Sequence, residues 1–181
     1  TRDKEEVENL KSSAEDYAGH PILDSHKAIA SAKNYLDFVE KMLNHPYSIS
    51  GLGDAGAHCG AISDASFPTT LIQHWGRDRT RGKKIPLEKL ISMQTLETSR
   101  LLGISDRGVL KEGYKADINV IDFDNLTLHE PEVLQDLPAG GRRLVQKASG
   151  YEYTIVSGQI AFENGEATGA LNGRLIRNQI S

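Results

Sequence analysis

Cysteine, methionine and tryptophan are scarce in this chain, at one, two and one residues of 181, and long apolar runs are missing altogether. Nothing approaches the roughly 20 apolar residues that a membrane span requires. Cys59, alone, cannot form an internal disulfide, which fits a reducing, cytoplasmic setting. The first sixteen residues are polar and lack the apolar core of a signal peptide. An excess of positive charge is missing too. With 21 basic and 25 acidic residues the net charge is -4, so no electrostatic ground exists for nucleic acid or a membrane surface as partner. No internal repeat or low-complexity stretch occurs. The chain opens on Thr1 rather than Met, and the expectation is that it has been cut from something longer. What remains is ordinary: 38% hydrophobic and 25% charged residues, enough for a buried core in one or two domains.

Periodicity predicts helices first. Val7, Leu10, Ala14 and Tyr17 share helical spacing, which Gly19-His20-Pro21 ends. Asp24 or Ser25 can cap a second helix that places Tyr35, Phe38, Val39, Met42 and Leu43 on one face, with Asp37, Glu40 and Lys41 outside. Asn44-His45-Pro46 stops it. Ser48 to Asp54 is a short strand candidate running into a loop of small residues, Ala55 to Gly60. Leu71 to Trp75 reads as helix, Arg77 to Lys84 as a basic connection. Pro86 suits the first turn of a further helix with Leu87, Leu90, Ile91 and Gln94 inward. Thr95 is placed to cap a last helix, Leu96 to Leu102, closed by Gly103.

After Gly103 the period shifts to that of strands. Gly108 to Leu110, Ala116 to Asp122, Tyr151 to Val156 and Gln159 to Phe162 are the candidates. Ser157-Gly158 and Asn164-Gly165 are tight turns. Asn125 to Lys147, with Pro131, Pro138 and Gly140-Gly141, reads as irregular loop with one helical turn. The boundary between the two parts is expected near Gly103 to Gly108, dividing the chain into 1–104 and 105–181.

Chemistry is best placed in Gly51-Leu52-Gly53-Asp54-Ala55-Gly56-Ala57-His58. A strand would deliver a carboxylate at its C-terminal end, where parallel α/β folds build active sites. Small neighbours let a ligand approach the backbone. Asp54 and His58 could then serve as metal ligand, general base or substrate clamp. The plainer alternative has Asp54 capping a turn and His58 as a surface or satisfied core residue.

These motifs resemble a known family. His45-Pro46, the Gly51–His58 stretch, Asp64-Ala65-Ser66-Phe67-Pro68-Thr69 and His74-Trp75-Gly76-Arg77-Asp78-Arg79 resemble the last barrel strand and following loop of N-acyl-D-amino-acid deacylases, members of the amidohydrolase superfamily. Thr95–Gly103, Asp106-Arg107-Gly108 and Gly113–Val120 resemble the exit from that barrel into a small β domain, and Ile155–Gln159 and Thr168–Arg174 its closing strand and tail. The likeness runs in order over residues 35–177. It implies an α/β protein, the C-terminal segment of a metal-dependent (β/α)8 barrel followed by strands of a β-sandwich domain. It implies zinc as cofactor and a small N-acyl amino acid as substrate. Asp54 matches the catalytic aspartate after the eighth strand, which binds metal, takes the proton of the attacking water and passes it to the leaving amine. His58 matches a substrate-contacting histidine of the cyclic amidases.

One departure is large. The His-x-His pair and the further ligands of such barrels are missing: His20, His26, His45, His74 and His129 show no ligand spacing. Asp54, even with His58, falls short of the three protein ligands of a catalytic zinc site. The chain by itself is therefore expected to be inactive, to hold zinc weakly if at all, and to have the missing N-terminal part of the same enzyme, or a second copy, as partner covering its open strand edges. The rival readings are a cyclic amidase, similar to dihydroorotases or hydantoinases, and a non-catalytic scaffold. Elsewhere the bland assignments lead. Cys59 is read as a small buried hydrophobe rather than a ligand. His74-Trp75 is read as packing, the Arg77–Lys84 charges as solvated, and Asp117 as structural. Gly140-Gly141-Arg142-Arg143 lacks the context of a phosphate loop.

Overall fold

The computed structural model describes residues 35–51 and 53–176, which fall in two units, Thr1–Ser48 and Ile49–Ser181. The helix expected over Val7–Tyr17, and the caps proposed at Asp24 or Ser25, lie outside the described residues.

In the first unit residues 35–43 are helical, and the stop falls where Asn44-His45-Pro46 predicts it. The Asn44 side chain donates to Glu40 O at 2.9 Å, and His45 N–H to Met42 O at 3.1 Å. The faces differ from expectation. Tyr35, Phe38 and Met42 are more than half exposed, while Asp37 and Glu40 are half-buried. Helical spacing says which residues share a face, not which face is covered.

The second unit begins with a correction. Residues 48–51 and 53–54 form no strand. Every pairing among the described strands is antiparallel and lies beyond residue 117, so a parallel neighbour that could hold a barrel strand is not among them. A helical run follows, which we call α1: a 3₁₀ turn Asp64–Ser66, an α-helical turn Phe67–Thr70 and a π-helix Leu71–Asp78. The expected Leu71–Trp75 helix is thus its centre. The wide π-turn ends with Arg79 N–H on His74 O at 2.8 Å. Helix α2 (Leu87–Gln94) starts one residue later than expected, with Pro86 as its N-cap; Leu90 is buried as expected, Leu87, Ile91 and Gln94 are half-buried, and Met93 is buried with Leu90. Helix α3 (Leu96–Leu101) follows Thr95, but the Thr95 hydroxyl does not cap it. It donates backwards to Ile91 O at 2.7 Å, joining the two helices instead. Gly103, at φ 70°, closes α3.

Gly108–Leu110, expected as strand, is irregular. Gly108 has φ 90°, and a Cβ there would stand 2.8 Å from Leu96 Cα, so the segment is pressed onto a helix rather than paired with a strand. Four of the eight described strands form an antiparallel sheet in the order β1-β6-β7-β8: Ile118–Ile121, Tyr151–Val156, Gln159–Glu163 and Glu166–Ala167. Ser157 and Gly158, at φ 52° and 79°, make the β6–β7 turn, as Asn164 and Gly165 (48° and 83°) make β7–β8. Asn125–Lys147 contains the one helical turn expected, at Pro138–Gly140, but the rest is not the irregular loop expected. It holds β2 (Thr127–Leu128), which pairs with β5 (Ala148–Ser149), and a hairpin of β3 (Glu132–Leu137) and β4 (Gly141–Val145). Most of the hairpin residues are exposed and do not alternate, so no period announced it. Its cross-strand tie is the bidentate Arg143–Asp136 pair at 2.8 and 2.6 Å.

The core is shared by helix and sheet regions. Leu71, Ile72 and Trp75 of α1, Ile85 just before α2, Leu90 and Met93 of α2, Leu126 before β2 and Ala161 of β7 are buried. Gly76 lets the neighbours close in, since a Cβ there would meet Leu90 Cδ1 at 3.0 Å and the Phe123 ring at 3.5 Å. The architecture is mixed helix and sheet. No helix among the described residues is long and apolar enough to cross a membrane.

Candidate active site

Residues 53–63 wrap as a loop ahead of α1. Its first turn is closed by the backbone, Ala57 N–H donating to Asp54 O at 3.1 Å. Its second is built on His58, whose carbonyl accepts from Ala61 N–H at 2.7 Å and Ile62 N–H at 3.2 Å. Gly56 at φ 100° and His58 at φ 46° supply the left-handed corners. Two ties hold the loop from outside. Cys59 O accepts from Leu144 N–H of β4 at 2.7 Å, and Ser50 Oγ, just upstream, donates to Met93 O of α2 at 3.0 Å.

Asp54 is exposed, and its carboxylate has no hydrogen-bond or ion-pair partner among the described residues. Its backbone is held: Asp54 N–H donates to Asp64 Oδ2 at 2.8 Å. Asp64 is the first residue of α1 and comes so close that a Cβ on Gly53 would lie 2.5–2.9 Å from its carboxylate. His58 is exposed as well, and among the described residues its imidazole makes no hydrogen bond to Asp54. Cys59 is exposed, not the buried hydrophobe expected, since it lies in a turn whose neighbours are exposed as well.

Could these residues hold zinc? Among the described residues no group of three His, Cys, Asp or Glu side chains converges on one point. Asp54 offers one open carboxylate, and among the described residues no further donors join it, so these residues do not make a zinc site.

The other candidates resolve differently. Trp75 is buried with His74 edge-on at 5.2 Å, in agreement with packing. The basic run is not simply solvated. Arg79 is 3% exposed and stacks its guanidinium 4.3 Å above the Trp75 ring. Arg77 crosses to the sheet region and donates to Phe123 O, Asp124 O and Leu126 O at 2.5, 2.8 and 2.6 Å. The hydrogen bond from Arg77, with a second from Gln73, holds the Asp78 carboxyl down at about 2. Asp117 accepts Ser157 N–H at 2.8 Å and pairs with Arg107, a structural role at the β6–β7 turn. Gly140-Gly141 belongs to the β3–β4 turn. Arg77 is a correction to the solvated reading of the basic run, and Asp64 is the residue whose role the sequence left unassigned. The signal for Asp64 was Gly53 beside Asp54, marking a close approach whose partner only the fold reveals.

A family model described as "Amidohydrolase family" matches residues 13–162. The chain belongs to the amidohydrolase family. It is similar to a dihydroorotase of Elusimicrobium minutum (strain Pei191), 33% identical over 82 residues, which are 45% of this chain and 19% of the relative. The match thus spans about a fifth of that relative's length. No solved structure matches the chain.

Proposed function

We propose that this chain contributes the late catalytic carboxylate, Asp54, to an amidohydrolase that cleaves the amide bond of N-acyl-D-amino acids or close analogues. The observation that carries the reading is the combination of family membership with an aspartate whose backbone is fixed and whose carboxylate is open. A carboxylate so held can take a proton from an attacking water and return it to the departing amine. In this reading residues 1–104 belong to the end of the barrel and 105–181 to the small β domain. His58, on the same loop, contacts substrate. Amidohydrolases commonly use metals, and zinc is the metal proposed for the whole enzyme, with Asp54 as the chain's one ligand to it. Among the described residues no group of donors forms its site. The partners proposed are the rest of the enzyme and, for the isolated chain, a second copy; the compartment proposed is the cytoplasm.

A second reading, hydrolysis of a cyclic amide, is favoured by the dihydroorotase similarity. The 64–84 segment, with Phe67-Pro68-Thr69 and His74-Trp75, supports the linear substrate through its resemblance to deacylases. One assay separates them: N-acetyl-D-leucine and dihydroorotate offered to the enzyme that carries this sequence. Asp54→Asn is expected to lower kcat/KM for the substrate that turns over by about 10²–10⁴-fold with the fold intact. Unchanged turnover would return the chain to the scaffold reading.

A further inference from the structure

We propose that Asp64 is the positioning residue for Asp54, a role that rests on the reading of Asp54 as catalytic. Asp54 N–H donates to Asp64 Oδ2 at 2.8 Å, so the peptide that carries the catalytic side chain is gripped by a second carboxylate. The grip is close-fitting. A Cβ on Gly53 would stand 2.5 Å from Oδ2, 2.7 Å from Cγ and 2.9 Å from Oδ1 of Asp64, so the carboxylate lies against the Gly53 α-carbon and would have to move aside for any larger residue there. The other oxygen, Asp64 Oδ1, is buried and has no hydrogen-bond partner among the described residues. A buried acceptor left unsatisfied is destabilising. Asp64 therefore gives no clear gain in stability, and its contact with the Asp54 peptide is the interaction it does make.

The grip is also stiff. Asp64 opens α1, and α1 is fastened along its length. Ser66 Oγ donates to Gln146 Oε1 at 2.6 Å, Thr69 and Tyr151 hydroxyls meet at 2.7 Å, and Leu71, Ile72 and Trp75 are buried. The loop's own turn is closed without Asp64, by Ala57 N–H on Asp54 O. Asp64 thus adds orientation to a turn that exists already. It transmits the placement of a packed helix to one peptide, and leaves the Asp54 carboxylate free. A misplacement of about 1 Å at a reacting group can cost about 10²-fold in rate.

The test combines kinetics with exchange at a single amide. In the enzyme that carries this sequence, assayed with N-acetyl-D-leucine or dihydroorotate, Asp64→Ala is expected to lower kcat by about 10–100-fold with KM within about threefold. Asp64→Asn retains an oxygen that can accept the Asp54 N–H and is expected to stay within about threefold of wild type. Gly53→Ala puts a methyl group where the carboxylate lies and is expected to reproduce Asp64→Ala, which keeps the proposal testable if Asp64→Ala does not fold. In ¹⁵N-labelled chain, the Asp54 amide is expected to exchange with solvent faster in Asp64→Ala and Gly53→Ala, and at the wild-type rate in Asp64→Asn. Full kcat in Asp64→Ala, or equal losses in Ala and Asn variants with Asp54 exchange unchanged, overturns the proposal. Full activity in Asp54→Asn overturns the catalytic reading beneath it instead, and the two failures are distinct because the exchange measurement does not depend on turnover.

Discussion

The loop at 53–63 and the crossing made by Arg77 are both polar, and they spend their polar groups in opposite ways. At the crossing, one guanidinium satisfies three backbone carbonyls and the Asp78 carboxylate, and so fastens α1 to the chain entering β2. In the loop the backbone is tied by Asp64 and by β4, while the Asp54, His58 and Cys59 side chains stand exposed. A group fully used by its neighbours holds structure; a group held by its backbone alone is left for something else. The comparison also separates two carboxylates. Asp78 is locked in its charged form by Arg77, whereas the Asp54 carboxylate has no such partner among the described residues.

Four measurements can break or sharpen that contrast. The largest effect is expected at Gly150, which supports the segment Arg77 grips. It has φ 95°, and a Cβ would lie 2.7 Å from Leu126 Cα and 3.0 Å from Leu126 N. Gly150→Ala is expected to cost about 3 kcal/mol or more, read as the urea midpoint. Next, Arg77→Met removes the clamp and leaves carbonyls short of donors, and is expected to lower the urea midpoint by less than Gly150→Ala does. Third is an acid titration of stability. Because the folded Asp78 carboxyl titrates at about 2, below its ordinary 3.8, its contribution is present above about pH 4 and fades as pH falls towards 2. Asp78 is 41% exposed and the pair is screened, so the effect is under about 1 kcal/mol, and Arg77→Met should flatten it. The smallest is Asp54→Asn, which should move stability by less than about 0.5 kcal/mol. A loss comparable to that of Arg77→Met would make Asp54 a structural residue and erase the distinction.

Local rules carried the reading furthest where they were enough. Ser157-Gly158 and Asn164-Gly165 need left-handed backbone, and the strands beside them fall where alternation and turn chemistry put them. Pro86 and Gly103 marked helix ends for equally local reasons. The β3–β4 hairpin escaped because its stability is cross-strand and polar, through Arg143 and Asp136, which no single-strand period reveals. The strand expected at Ser48–Asp54 failed for the opposite reason: its pattern was adequate, but a parallel strand is defined by neighbours rather than by itself. Around the site, Asp54 was legible as a carboxylate among small residues. Asp64 was visible only as a letter ten positions on, because the contact that gives it a role is tertiary.

His58 carries a consequence of another kind. At φ 46° a residue with a side chain sits where glycine or asparagine would be more comfortable, by about 1 kcal/mol. Position 58 therefore sets two kinds of selection against each other. A variant library enriched for heat resistance alone should drift to glycine or asparagine there. Enriched for turnover, the same library will report whether the imidazole is worth its strained corner.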